Sequence, residues 1–298
     1  MSAQVASNGM PLQPNSHDFS FVVVGDRTGG HRPQVFSIAM RHINLLNPDF
    51  VVSVGDLIEG YTESPAEINQ QWNEIEEIIN KFKIPFFYTA GNHDISNPEM
   101  AAVWKARRGP SYYHFLYKNV LFVVLNTEDP AIALSQEYIK KTLALETAMR
   151  ENPLATQDFI LARAKERSSP VKLPGAIAIS PEQTQWAEQV LSENADVRWT
   201  VVLMHKPAWQ YGENGFSAIE KALQGRPYTV IAGHEHYYNY ERRFEQEYVV
   251  MATTGGVWLR DGPGRFDHVA HVSMTDGGLK FLNISTEGMF DITGRKIE

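Results

Sequence analysis

The sequence predicts a layered α/β fold, and three observations carry that reading. Short runs of Val, Ile, Phe and Tyr alternate with amphipathic helical segments as far as about residue 235. Several of those runs are apolar on nearly every residue, as in strands covered on both faces. After His236 the helical patterns stop and Gly-rich turns link further strands, the usual completion of a second sheet.

Taken in order, Phe19–Val24 reads as a strand that stops at Gly25, Gln34–Leu46 as a helix, and Phe50–Val54 as a strand that stops at Gly55. Ser64-Pro65-Ala66-Glu67 is a capping box with Pro at the first helical position. Ile68, Trp72, Ile75 and Ile79 behind it share one helical face. Pro85–Ala90 stops at Gly91, Tyr112–Phe115 is a short strand, and Val120–Leu125 stops at Asn126. Pro130 to Ile179 stands apart, helical in composition with Leu143, Leu145 and Met149, and interrupted by Pro153, Pro170 and Pro174. It reads as an insertion, a lid or a partner surface, within a single domain of residues 17–298. Ser180-Pro181-Glu182-Gln183 repeats the helix-start signal ahead of Trp186, Val190 and Leu191. Val197–Met204 stops at His205 and Tyr228–Ala232 at Gly233. Tyr211 to Gly215 reads as a mobile loop. Tyr248–Thr254, His268–Met274 and Leu279–Ile284 form the β-rich tail, with a turn at Asp276-Gly277-Gly278. Residues 1–16 are polar, lack the basic-then-apolar layout of a signal peptide and predict a disordered lead.

Composition narrows the function. Of the 298 residues, 43% are apolar and 21% charged, which argues against intrinsic disorder. The formal net charge of −8 argues against a nucleic-acid partner, which needs a basic stripe. It leaves a small anionic substrate open, because bound metal reverses the local field. The absence of cysteine excludes disulfides, thiolate zinc sites and a cysteine nucleophile, and says little about compartment. No apolar run is long enough to span a membrane, so a soluble protein without a membrane partner is expected.

The polar residues that matter follow the carboxyl ends of the apolar runs: Asp26, Asp56, Asn92 with His93, His205, and His234 with His236. In α/β sheets that edge is where ligands bind. Singly, an Asp after a strand caps a turn and a lone His is a satisfied polar group. Five strand ends that each deliver a carboxylate, carboxamide or imidazole exceed what turn chemistry produces. Such donors suit borderline-to-hard ions such as Mn, Fe, Zn or Co. Two such ions about 3.5–4 Å apart need a bridging ligand and can hold a hydroxide between them.

GDRTG (Gly25 to Gly29), GDLIEG (Gly55 to Gly60), GNHD (Gly91 to Asp94), LMHKP (Leu203 to Pro207) and GHEH (Gly233 to His236) resemble, in order and spacing, the five motif blocks of the calcineurin-like metallophosphoesterases. The resemblance covers about Phe19 to Ser285. It implies a four-layer αββα sandwich with two mixed sheets and a centre of two divalent or trivalent metal ions. Asp26 and His236 would bind the first metal, Asp56 would bridge, and Asn92, His205 and His234 would complete the second. His93 would act beside the substrate as general acid, and Asp94 would orient His93. Thr253-Thr254-Gly255-Gly256 is similar to a Gly-rich segment of the family and would pack near the site.

Thr28 departs from the family pattern, since many members carry a His ligand there. The first metal site is therefore expected to be more oxygen-rich and weaker than the second. Tyr61 lies too far beyond Asp56 to match the iron-binding tyrosine of purple acid phosphatases. Arg27 has two readings, a phosphate clamp or an ion pair with a carboxylate such as Glu59. Arg32, Tyr61, Tyr211 and Asn214 are further pocket candidates. His114, His268 and His271 are read as structural, and His17, His31 and His42 have no motif support. The function expected is metal-dependent hydrolysis of a small phosphorylated substrate, with a metal-bridging hydroxide as nucleophile. A phosphomonoesterase is favoured over a phosphodiesterase because Arg27 would hold a terminal dianion. A metal-stabilised scaffold with little catalysis is the alternative of another class, motivated by Thr28 and opposed by the intact His93.

Overall fold

The computed structural model describes residues 17–131, 135–165, 177–285, 288–290 and 292–295. The expected lead, residues 1–16, lies outside them, as do Pro170 and Pro174. The elements run β1 (Phe19–Val24), α1 (Val35–Leu46), β2 (Phe50–Ser53), α2 (Pro65–Ile79), β3 (Phe86–Phe87), α3 (Pro98–Arg108), β4 (Tyr113–Tyr117), β5 (Val120–Val124), α4 (Gln136–Glu151), α5 (Pro153–Lys165), α6 (Pro181–Glu193), β6 (Trp199–Leu203), α7 (Gly215–Ala222), β7 (Tyr228–Ala232), β8 (Asn239–Arg243), β9 (Gln246–Val250), β10 (His268–Thr275), β11 (Gly278–Ser285) and β12 (Gly288–Phe290).

Two six-stranded sheets form, ordered β12-β11-β10-β1-β2-β3 and β4-β5-β6-β7-β9-β8. Both are mixed: β1, β2 and β3 are parallel while β10 joins β1 antiparallel, and β5, β6, β7 and β9 are parallel between antiparallel β4 and β8. The strand period of two explains the layers. Phe21 and Val23 enter the core between the sheets with Phe50, Val52, Phe122 and Val124. Val22 and Val24 face the other way, into a second core with Phe36 of α1, Trp72 of α2 and Trp104 of α3. A third core sets Val202 and Val230 against Val190 of α6 and Ile219 of α7. The result is the αββα sandwich, with every apolar face of each central strand covered.

Helix starts follow the local chemistry. Ser64 caps α2 by accepting from the Glu67 amide at 3.4 Å, although the Glu67 carboxylate takes the Thr62 hydroxyl instead of closing the box. Ser180 caps α6 by accepting from Gln183 N at 3.1 Å. The Gln183 amide is spent on Asn126, accepting from its N at 2.8 Å and donating to its O at 2.9 Å. Tyr211 to Asn214 lie outside any helix or strand, and Asn214 caps α7 in a full capping box. One element departs from the sequence expectation. The Pro85–Ala90 run contributes only the two residues of β3. Among the described residues no helix is long and apolar enough to cross a membrane.

Candidate metal centre

The carboxyl ends of β1, β2, β6 and β7, together with the segment after β3, deliver their polar residues to one place. Asp26, Asp56, His205, His234 and His236 are all buried, and Asn92 is half-buried beside them. Donor atoms of Asp56, His205 and His234 lie within 4.8 Å of one another, and so do those of Asp26, Asp56 and His236. Asp56 belongs to both groups. Asp56, His234 and His236 adopt left-handed backbone angles, with φ of 57°, 72° and 48°. Such positions cost on the order of 1–3 kcal/mol each and persist where surroundings fix them, typically at functional sites. Two preceding glycines permit the approach. A Cβ on Gly91 would lie 2.1 Å from Asp56 Oδ1, and one on Gly233 would lie 2.5 Å from Asp26 Oδ2.

His205 Nδ1 donates to Val54 O at 2.8 Å, which turns Nε2 into the cluster. There it meets Asn92 Oδ1 at 3.0 Å, Asp56 Oδ2 at 3.1 Å and His234 Nδ1 at 3.2 Å. The Asn92 amide is oriented by donating its Nδ2 to the Tyr61 hydroxyl at 2.8 Å. Asn92, Asp56 and His234 thus turn lone pairs toward a nitrogen that carries at most one proton. A divalent cation resolves that excess. Ligands bonded at about 2.0–2.2 Å sit about 3–3.5 Å from their neighbours, the spacing found here. His234 Nε2 is buried and has no hydrogen-bond partner among the described residues. In the other group His236 donates Nδ1 to Val257 O, and its Nε2 lies 3.6 Å from Asp26 Oδ1.

The electrostatics agree with a site built for positive charge. Burial and the nearby Asp56 push the Asp26 carboxyl up to about 8, against His205 and the His234 amide. Burial opposes ionisation of Asp56 too, but His205 and His93 outweigh it and hold Asp56 below the carboxylate range. Burial lowers His236 to about 4 and holds His234 well below the usual imidazole value, so both present lone pairs at neutral pH. Neutral imidazoles beside carboxylates are the forms that bind metal.

A family model described as calcineurin-like phosphoesterase matches residues 19–238. The chain belongs to the calcineurin-like phosphoesterase family. Membership implies divalent metal ions. It is 33% identical over 97 residues to the bovine (Bos taurus) serine/threonine-protein phosphatase CPPED1, a match that spans 30% of this chain and 31% of that protein. Its fold resembles a dimetal phosphatase from Danio rerio, with TM-score 0.61 at 13% identity, covering 92% of this chain and 98% of the other. It also resembles GAP50, the anchor in the inner membrane complex of Plasmodium, with TM-score 0.55 at 12% identity, covering 94% and 90%.

His93 lines the cleft over the cluster. Its Nδ1 donates to Glu59 O at 2.7 Å, and its Nε2 lies 4.0 Å from Asp56 Oδ2. Asp94 corrects the sequence expectation. Its carboxylate accepts from the amides of Asp56 at 2.7 Å, Gly91 at 3.0 Å, Leu57 at 2.9 Å and Ile58 at 3.3 Å. It fixes the backbone of the Asp56 loop, while Glu59 O orients the His93 ring. Arg27 also departs from its clamp reading. Its Nη1 donates to Leu57 O at 2.8 Å, the charge of Glu59 acts on it, and it does not line the cleft over the centre. Arg32 binds Asp267 and Gly256 O, and Tyr211 donates to Glu235. Thr28 is buried, and its amide donates to Asp56 O at 3.1 Å. His268 is structural as expected, accepting from Ala252 N at 2.9 Å with its other nitrogen 2.9 Å from Asn283 Oδ1.

Two residues at the site carried no signal for function. Glu59 accepts from Gly30 N at 3.1 Å and from His31 N and Nδ1, both at 2.8 Å. Glu146 of α4 comes to the same place, and its atoms, those of Glu59 and those of His93 lie within 4.8 Å. Burial, and then the Glu59 carboxylate, push Glu146 up to about 9, whereas His31 and His93 outweigh burial and hold Glu59 below the carboxylate range.

Proposed function

We propose that this protein hydrolyses phosphate esters at a centre of two metal ions. The observation that carries the proposal is the convergence of Asp56, Asn92 and His234 on His205 Nε2, with Asp56 common to both donor groups. Asp56, Asn92, His205 and His234 would hold one ion, and Asp26, Asp56 and His236 the other. Bound there, the ions would neutralise phosphoryl charge and acidify the water that attacks phosphorus. The first position has three such side chains against four at the second, which supports a weaker first site.

The chain's own contribution is position and a proton. Glu59 O fixes the His93 tautomer by taking its Nδ1–H, which leaves Nε2 facing the cleft. In its protonated form His93 hands the Nε2 proton to the departing oxygen, which leaves as the alcohol. Asp94 holds the Asp56 loop while this happens. The case for a monoester rests on Arg27, and that guanidinium donates to Leu57 O and does not line the cleft.

The test is hydrolysis of phenyl and p-nitrophenyl phosphates and their diesters with Mn²⁺, Zn²⁺ or Mg²⁺. Asp56→Asn should abolish turnover. His93→Ala should cost about 10²–10⁴-fold on phenyl esters, and less on p-nitrophenyl esters, whose leaving group needs no proton. A scaffold would show no turnover with any metal in a folded, metal-loaded protein.

A further inference from the structure

The cleft over the centre has a cavity volume of about 110 Å³ and two unlike sides. Its floor is the ligand cluster, with Asp56, His234 and His236. Its roof is α4, which turns Tyr138, Thr142, Leu145 and Glu146 on the cleft from one helical face. The roof is tied to the core. Met149 is fully buried and packs on Gly30, and Gln157 of α5 exchanges two hydrogen bonds with the Trp258 backbone, at 2.9 and 2.8 Å. Tyr138 meets Tyr61 edge-on at 5.7 Å, and Tyr61 orients Asn92.

Among the described residues no Lys or Arg lines this cleft. The cations nearby are engaged elsewhere: Arg27 with Leu57 O, Lys206 with Glu128, and Arg260 with Glu235. Arg150, one turn along α4, offsets only part of the charge on Glu146. The side around His93 instead carries two carboxyl groups, Glu59 and Glu146, whose atoms and those of His93 lie within 4.8 Å of one another.

A phosphoryl group held to the floor through two oxygens turns its other substituents toward this roof. One is the leaving group, near His93. In a monoester the other is a third anionic oxygen. In a diester it is an ester oxygen bearing an organic group. A further anionic oxygen beside Glu59 and Glu146, away from bulk water, is disfavoured by like-charge repulsion. An organic group is received by Leu145, Leu259 and the Tyr138 ring.

We propose that the site selects phosphodiesters over phosphomonoesters, and that the pair of carboxyl groups formed by Glu59 and by Glu146 of the insertion determines the choice. This rests on the hydrolytic reading above and names its substrate class.

The experiment compares kcat/KM for bis(p-nitrophenyl) phosphate and p-nitrophenyl phosphate on the metal-loaded protein, for wild type, Glu146→Gln and Glu146→Arg. Wild type should favour the diester by about tenfold or more. Glu146→Arg should reduce that ratio by about tenfold, chiefly by raising the monoester rate. Glu146→Gln keeps the Glu59 charge and should move the ratio far less than Glu146→Arg. A second readout is calorimetric binding of phenylphosphonate, at a pH where it is a dianion, and of its monomethyl ester. The ester should bind more tightly to wild type, and Glu146→Arg should reverse the order. Faster monoester turnover in wild type, or a ratio unmoved by Glu146→Arg, overturns the proposal. Absence of turnover with both substrates would defeat the hydrolytic reading instead, and the phosphonate order would still decide this one.

Discussion

Asp94→Asn separates two roles that one carboxylate can play. Asp94 accepts four backbone N–H groups, with Asp56 N and Gly91 N on Oδ2 and Leu57 N and Ile58 N on Oδ1. Asparagine keeps one acceptor oxygen and turns an NH₂ toward the other pair, so two buried amides face a donor. Hydrogen bonds to a charged group are worth about 1.5–3 kcal/mol each, so the loss is about 3–6 kcal/mol. That is a large share of a typical stability of about 5–15 kcal/mol. The freed loop carries Asp56, and a displacement of about 1 Å at such a group costs about 10²-fold in rate. Urea denaturation followed by tryptophan fluorescence should show the stability loss, and elemental analysis should show reduced metal. The pH at which leaving-group protonation fails should stay where it is in wild type, because Glu59 O and not Asp94 holds His93. Wild-type stability and metal content combined with a shifted pH profile would refute the backbone role and restore Asp94 as the orienter of His93.

Gly91→Ala drives a Cβ to within 2.1 Å of Asp56 Oδ1 and should cost about 1–3 kcal/mol and most of the bound metal. Gly277→Ala, whose nearest neighbour is 3.6 Å away, is the control and should change stability by less than about 0.5 kcal/mol in the same denaturation assay. Burial lowers His268 to about 3, so it stays neutral in the fold while the unfolded chain protonates it near pH 6.5. Its contribution is therefore full above about pH 6.5 and is lost as pH falls toward about 3, by up to about 1.4 kcal/mol per unit. In denaturation curves at several pH values, His268→Gln should flatten that acid slope. Addition of Mn²⁺ or Zn²⁺ should raise Tm, by about 2.7 kcal/mol of stability at a hundredfold excess over Kd. Metal titration should resolve one tight and one weaker equivalent, and two equal equivalents would contradict the uneven donor count.

Much of the fold was legible because its signals are local. A buried strand must be apolar along its length, as Val120–Val124 is, and a helix start needs a cap within three residues, as at Ser64 and Ser180. Elements whose signals are diluted are not legible in this way. Helix α3 has the Asn97 cap and Pro98 start, but its apolar face of Met100, Val103 and Trp104 is followed by Lys105, Arg107 and Arg108. Strand β8 reads Asn-Tyr-Glu-Arg-Arg and lies at a sheet edge, where no apolar run is required.

The sequence by itself determined the candidate ligands, because each follows a strand end and four of them, Asp26, Asp56, Asn92 and His234, come directly after a glycine. Tertiary structure alone decided what surrounds them. The partners of Asp94, the commitment of Arg27 to Leu57 and the meeting of Glu146 with Glu59 depend on where separate segments pack, and a carboxylate reads the same in sequence whether it faces water, a backbone amide or another carboxyl group.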